Sequence, residues 1–461
     1  MKNVAPITTL GLGAEAGTLL STRMFSAISQ RRRIMRFFVK NLAVIALGFG
    51  LASAGRAQTT PAPPAAPATG QAATTPAAPA APAAPAAPAA LPTPSITGPL
   101  SGIPPLVFDA GPIGKLSVNG IVSGFGMAQG DHVPGDRDGQ ADLSNGMVWI
   151  QKTDGWLQFY VQAGAYNLPS LATPYVSTST TLTNLYGPVP VAYLKLQAGK
   201  NASILVGELP TLIGAEYTFT FENMNIERGL LWNQETAISR GIQLNQTMGK
   251  YLTASFSWND GFYSNRYTWL SGSLTYTKGP HALSFVAGGN FNETPYLSTA
   301  TPIQNDGSIY NVIYTFTKGP WIIQPYFQYT DVPTNMKIGI TQGASTKGGA
   351  ILLSHAFKHG FSLAGRWEYI SSTSGTLFQG DGEGGENVPL NLLFGPGSSA
   401  TSVTVTPTFQ YGGFFVRGDV SWVHAFSATA GDTFSPLGMS NDQPRAMAEI
   451  GFIFGDNIVK K

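Results

Sequence analysis

The chain of 461 residues has no cysteine, 11% charged residues, 11% aromatic residues and 54 glycines. It therefore offers no disulfide framework, thiolate metal site or cysteine nucleophile, and its charge content is less than half the ~25% of an ordinary soluble domain. No run of 18 apolar residues occurs, which excludes a helical membrane span as well.

The formal net charge of +2 hides an asymmetry. Residues 1–57 hold eight of the 27 basic groups and one acid, Glu15, leaving 19 basic against 24 acidic groups, a net of −5, from Gln58 onward. The basic character belongs to the leading segment, so no nucleic-acid partner is expected. Arg31-Arg32-Arg33 to Lys40 reads as a positive n-region and Leu42 to Leu51 as an apolar h-region, with a cut expected after Ala57. Residues 1–57 are thus expected to be a signal peptide, with Met24 or Met35 as alternative starts. A retained anchor is the rival reading, disfavoured by the short apolar core.

Residues 58–114 read as a periplasmic linker. Within it, 59–94 are almost entirely Ala, Pro and Thr and contain 11 of the 33 prolines. Such a run has nothing to bury and is expected to be an extended spacer, reaching on the order of 100 Å at ~3.1 Å per residue. Contact with the cell wall through 59–94 is a second expectation.

From Lys115 onward the texture changes to period two. Leu157, Phe159, Val161 and Ala163 fall on one face, and Gln158, Tyr160 and Gln162 on the other. Sixteen such segments are predicted: 116–128, 143–151, 156–166, 190–197, 203–208, 237–247, 251–259, 268–277, 281–291, 309–317, 321–330, 347–357, 361–371, 400–410, 414–425 and 445–454. Their connections alternate in length. Seven are tight, as at Thr153-Asp154-Gly155 and Lys278-Gly279-Pro280, and eight are longer, including 129–142, 167–189, 209–236, 372–399 and 426–444.

Sixteen strands with both ends on one side require seven turns there and eight loops opposite. Runs of ~9–11 residues cross a bilayer when tilted, and a sheet in hydrocarbon must close. The fold predicted over 115–461 is an all-β, 16-stranded antiparallel transmembrane barrel in the bacterial outer membrane, with both termini in the periplasm. A secreted β-helix or sandwich would not sort its loops by length. Trp156, Tyr251, Trp321 and Phe361 just after tight turns, with Tyr411 and Phe414, are expected to form an interfacial girdle. Pro325 and Pro407, on the apolar parity within strands, each predict a lost ladder bond or a bulge.

A barrel of this size leaves an aqueous channel, so function should sit on lumen-facing residues and on loops folded inward. The third long loop carries Glu216, Glu222, Glu227, Arg228 and Glu235, with Tyr217, Phe219, Phe221 and Trp232. So apolar a loop is costly in water, and it is predicted to fold inward and constrict the pore. Parity supplies wall candidates in Lys195, Arg366, Glu368, Arg417 and Asp419. Loop carboxylates opposite wall cations would set a transverse field selecting by charge and size, or the pairs would simply solvate a wet wall. Arg240, on the apolar parity at a strand end, is expected at the interface.

Six tight turns contain or adjoin a lysine, while the opposite loops hold carboxylates such as Asp131, Asp136, Asp138 and Asp142, and Asp381, Glu383 and Glu386. The outer mouth is thus expected to be acidic. It could favour cations or share divalent ions with lipopolysaccharide, although neither loop has EF-hand spacing, and no metal site or cofactor is predicted. No His-Glu-x-x-His, Walker or Gly-x-Ser-x-Gly motif occurs. His355 and His424 would be the residues of a lipid-modifying barrel enzyme, the least favoured reading.

The run Gly207-Glu208-Leu209-Pro210-Thr211-Leu212-Ile213-Gly214-Ala215-Glu216, then Asn223, Asn225, Glu227-Arg228-Gly229 and Ser239-Arg240-Gly241-Ile242, resembles outer-membrane β-barrel porins of the OmpL-like type. Glu208 and Leu209 stand where that family usually has a basic and an aromatic residue. The resemblance covers about 115–454 and implies an outer-membrane diffusion channel for small hydrophilic solutes, often trimeric, set in lipid and lipopolysaccharide. Phe452 and Phe454 match the family's terminal aromatic. The rival to a channel is a structural anchor tethering the envelope through the Ala/Pro arm. The strip 281–291, with Ala287, is a candidate oligomer face.

Overall fold

The computed structural model describes residues 94–96, 98–292, 303–379 and 385–458. The expected signal peptide and the arm up to residue 93 lie outside them. Sixteen long strands follow one another: β1 (Lys115–Gln129), β2 (Gly139–Lys152), β3 (Leu157–Tyr166), β4 (Val191–Ala198), β5 (Ala202–Pro210), β6 (Ile238–Met248), β7 (Leu252–Asn259) and β8 (Trp269–Lys278). The second half comprises β9 (His281–Asn290), β10 (Ser308–Lys318), β11 (Trp321–Val332), β12 (Ala344–Ala356), β13 (Phe361–Ser372), β14 (Ser399–Tyr411), β15 (Phe414–Phe426) and β16 (Asp442–Phe454).

Each strand pairs antiparallel with its neighbour in sequence, and β16 returns to β1 through a ladder from Gly120 opposite Phe454 to Gln129 opposite Arg445. The ring is closed, so no strand edge is left unsatisfied in hydrocarbon.

The alternation of side chains separates two environments. Val148, Leu194, Val206, Leu244, Phe256, Phe285, Phe327, Leu353, Val405 and Ile450 point outward and are exposed, whereas Gln162, Asn311, Gln328, Thr346, Ser402 and Thr404 point inward and are buried. An apolar band facing out and a polar face turned in invert the pattern of a soluble sheet. Trp156, Tyr251, Trp321, Phe361, Tyr411 and Phe414 are all exposed beside the tight turns, as an interfacial girdle requires.

The expected strands are all present, and the outer ends of three run several residues further than predicted. β2, β12 and β16 begin at Gly139, Ala344 and Asp442. The extra residues, Gly-Gln-Ala-Asp, Ala-Ser-Thr and Asp-Gln-Pro, contain no large apolar side chain and read as loop in sequence, but ladder pairing with a neighbour outlasts the apolar band. Asp142, expected in the first loop, therefore lies on β2, where its carboxylate accepts from Tyr175 Oη at 2.6 Å and Thr178 N at 2.8 Å, at the start of helix α1 (Thr178–Asn184).

Each proline in question breaks the ladder on one side only. The β10–β11 register skips from Ile313–Tyr326 to Phe316–Ile323 around Pro325, and β14–β15 skips from Val405–Val420 to Thr408–Arg417 around Pro407. Equal numbers of residues are skipped on both strands, so each proline costs ladder bonds without a bulge. A genuine register shift occurs between Ser123 and Gly124 of β1, opposite β2. There Ser144 and Asn145 are both fully buried on the lumen side.

On the long-loop side, Ile340–Gln342, Thr376–Gln379 and Glu386–Pro389 form a small separate sheet. Asp381 and Glu383 lie outside the described residues.

Candidate functional site

The third long loop, L3 (residues 211–237), runs through the lumen. Its aromatic residues choose the wall. Phe221 stacks on Trp149 at 5.6 Å and Phe219 meets Tyr166 edge-on at 5.3 Å, and both phenylalanines are buried. Two short 3-10 turns, Thr220–Glu222 and Trp232–Gln234, carry the loop across.

Ionic groups then clamp it to β13–β16. Arg366 meets Glu216 at 2.5 Å, donates to the Glu227 carbonyl at 2.7 Å and lies 3.2 Å from Glu368. Glu368 in turn accepts the backbone N–H of Leu230 at 3.0 Å, and Asp419 accepts those of Ile226 at 2.8 Å and Glu227 at 3.0 Å. Arg417 donates to the carbonyls of Thr220, Asn223 and Met224 at 2.9–3.0 Å. Arg445 pairs with Glu227 at 2.6 Å. A loop has no ladder to satisfy its backbone, and here the wall's charged side chains supply the missing partners.

Each expected site residue can therefore be placed. Glu216, Glu227, Arg366, Glu368, Arg417 and Asp419 are brought together in this buried clamp. Arg228 is fully buried, its guanidinium 5.2 Å from the Trp232 ring and without a hydrogen-bond partner among the described residues. Burial lowers it to about 10 against the pull of the Glu216 charge.

Glu222, Glu235 and Lys195 stand apart from the clamp. Glu222 accepts from Phe219 N at 3.1 Å and Ser95 N at 3.0 Å, and burial pushes its carboxyl up to about 7. Burial, reinforced by the nearby Glu216 and Glu368 charges, raises Glu235 well above the usual carboxyl range. One of its oxygens has no partner among the described residues.

The clamp fills one side of the barrel and leaves space on the other. A cavity of about 570 Å3 lies on the tight-turn side of L3, against the inward faces of β4–β7, and Tyr193, Lys195, Glu222, Gln243, Asn245 and Ser255 help to line it. A second, also about 570 Å3, lies on the long-loop side between Ser170, Asn184, Tyr186, Trp232, Glu235 and Tyr263. Between them runs the L3 stem, held by Thr211 N–H to Ala237 O at 3.1 Å and by the Thr211–Thr236 hydroxyl pair at 2.9 Å.

The motif residues explain themselves in this geometry. Asn223 closes L3 on itself through Tyr217 N at 2.7 Å and the carbonyls of Tyr217 and Phe219 at 2.8 Å, and Asn225 reaches Thr406 at 2.7 Å. Gly229 lets Glu368 approach so closely that an added Cβ would lie 2.1 Å from its carboxylate. Gly214, at φ +83°, does the same for Glu235.

The family model for beta-barrel porin-2, OmpL-like, matches residues 115–454. The chain belongs to this family. No curated protein matches the sequence. Among solved structures, the chain is similar to an anion-selective porin from Comamonas acidovorans (9% identity, 74% of this chain and 99% of that one, TM-score 0.49). It is also similar to the outer-membrane expressed OmpT of Vibrio cholerae (11% identity, 74% and 98%, TM-score 0.48) and to OmpF of Salmonella typhi in complex with daunomycin (12% identity, 74% and 98%, TM-score 0.46).

Within this porin barrel, sequence reasoning missed two members of the clamp. Arg445 and Glu449 sit on the inward parity of β16, and Glu449 accepts from Ser123 at 3.1 Å and Thr220 at 3.0 Å beside Arg417. The same period-two rule that found Arg366 and Arg417 would have found them. Arg240 is paired with Asp260 at 2.8 Å and lies under the Tyr263 ring at 3.9 Å. His355 packs beside Trp321 at 4.2 Å, and His424 bonds Asp442 at 2.8 Å. Among the described residues no group of His, Asp and Glu has the geometry to hold a metal ion.

Proposed function

We propose that the protein is an outer-membrane diffusion channel for small hydrophilic solutes or ions, oriented with its tight turns and both termini toward the periplasm. The observation that carries this reading is the one-sided clamp. L3 is tied to β13–β16, and a cavity remains against β4–β7 on the tight-turn side of its stem, with a second among the long loops on the other side. A barrel whose interior was meant only as an anchor would have no reason to leave one flank unfilled.

On this reading the charged residues divide their labour. Glu216, Glu227, Arg366, Glu368, Arg417 and Asp419 hold L3 in place, because their charges are spent on one another and on the backbone. Lys195 lines the tight-turn-side cavity and sets the charge that a solute meets there, while the Glu222 carboxyl in the same cavity and Glu235 on the outer side, both pushed toward the neutral form by burial, offer hydrogen-bonding groups. The surrounding lipid and lipopolysaccharide, and assembly as a homotrimer with 281–291 as the contact strip, complete the proposal. On that strip the Ala287 side chain points outward.

Liposome swelling tests it. Vesicles containing the purified protein should admit small sugars, with rates falling steeply as solute size grows. Vesicles that remain as tight as protein-free ones to the smallest sugar would leave the anchor reading in its place.

A further inference from the structure

We propose that residues 94–96 and 98–104 are parts of a plug, seated in the periplasmic half of the lumen beneath L3, whose withdrawal widens the channel. The proposal rests on the diffusion-channel reading above.

The segment precedes the first barrel strand, and nothing in its Pro-rich sequence predicts a seat. Yet Leu100 is 3% exposed and packs in the cluster that holds Trp149, Tyr160, Phe219 and Phe415, with Ile96 and Ile103 packed against it. These partners belong to the wall and to L3 itself.

Polar contacts track the path. Asp456 N–H donates to Pro104 O at 2.8 Å and Asn119 Nδ2 to Ile103 O at 2.8 Å, both at the periplasmic rim. Gln410, at the last turn of the barrel wall, exchanges two bonds with the Ser101 backbone at 2.7 and 2.9 Å. Ser95 N–H reaches Glu222 of L3 at 3.0 Å. The chain thus climbs from the rim to the underside of the constriction, and Ser95 lines the open cavity beside it.

Its chemistry is that of a removable part. Pro94, Pro99, Pro104 and Pro105 have no N–H, so the segment cannot join the barrel ladder, and sheet pairing resumes only at Leu106–Asp109 against Lys115–Val118. L3 is held by several buried ion pairs. The plug is held by Leu100, by the half-buried Ile96 and Ile103 and by hydrogen bonds to its backbone, and it can leave without breaking a ladder or an ion pair. Its inner end continues directly into the Ala/Pro arm, so a partner that draws on the arm draws on the end nearest L3.

Single-channel recording of the full chain tests this. The sequence has no cysteine, so Ser101→Cys with Gln410→Cys creates the one possible disulfide. Leu100→Asp should raise the conductance step about 1.5-fold or more, because an unseated plug frees lumen cross-section. Oxidising the cysteine pair in the Leu100→Asp background should restore the wild-type step, and reductant should reverse this. In the otherwise native chain, the reduced pair should show brief excursions to a wider level that oxidation abolishes. Steps unchanged by Leu100→Asp, or identical traces from the oxidised and reduced pair, would overturn the plug and leave the channel standing. Absence of steps in every form, wild type included, would overturn the channel and the plug with it.

Discussion

At the scale of single residues, the lumen is decided by where charge is spent. Arg366 serves two carboxylates and a carbonyl, all fully buried. Arg366→Met would leave Glu216 and Glu368 facing each other without a cation, at a cost of ~3–5 kcal/mol, visible as an earlier midpoint in urea unfolding from vesicles. Adding Glu216→Gln should recover part of that loss. Glu222 makes the opposite case, a carboxyl that burial holds in its protonated form. Its value of about 7 in the folded chain exceeds the ordinary 4.5, so the folded state binds the extra proton and stability falls as pH rises between the two. Glu222→Gln should therefore be more stable than wild type above about pH 7, with the difference shrinking toward pH 4.5 in thermal melts.

At the scale of elements, L3 is the part that a period-two reading finds only by contrast. Its aromatic and acidic content, out of place in an exposed loop, was enough to predict that it folds inward. The wall residues Arg366, Arg417 and Asp419 were legible because a strand's parity assigns each side chain a face. What parity cannot give is the path of the loop, and so it could not tell carboxylates consumed in pairs, such as Glu216 and Glu227, from those left beside open space, Glu222 and Glu235. The stretches 94–96 and 98–104 were illegible for the related reason that prolines without periodicity look alike in a spacer and in a seat. Gly229 tests the clamp as an element. Gly229→Ala places a methyl against Glu368, and the loop must shift away from its two backbone anchors. We expect a loss of ~2–3 kcal/mol, comparable to other overpacked buried sites, together with faster proteolysis within L3.

At the scale of the whole molecule, the barrel was legible from two counts, the strands and the alternation of their connections. Neither depends on any particular side chain, which is why the topology emerged intact while the outer ends of β2, β12 and β16 did not. Lateral pairing prolongs a strand past the membrane, where hydrophobic alternation no longer marks it. The closed ring, the apolar band and the eccentric clamp leave one cavity against β4–β7 and another among the long loops, and the proposed function makes these the two ends of a narrow passage past the L3 stem. Recording the purified full chain in planar bilayers tests that claim most directly. The account predicts discrete conductance steps of uniform size, since a fixed loop sets the narrowest section. Folded barrels that insert into the bilayer yet pass no current over many insertions would contradict it.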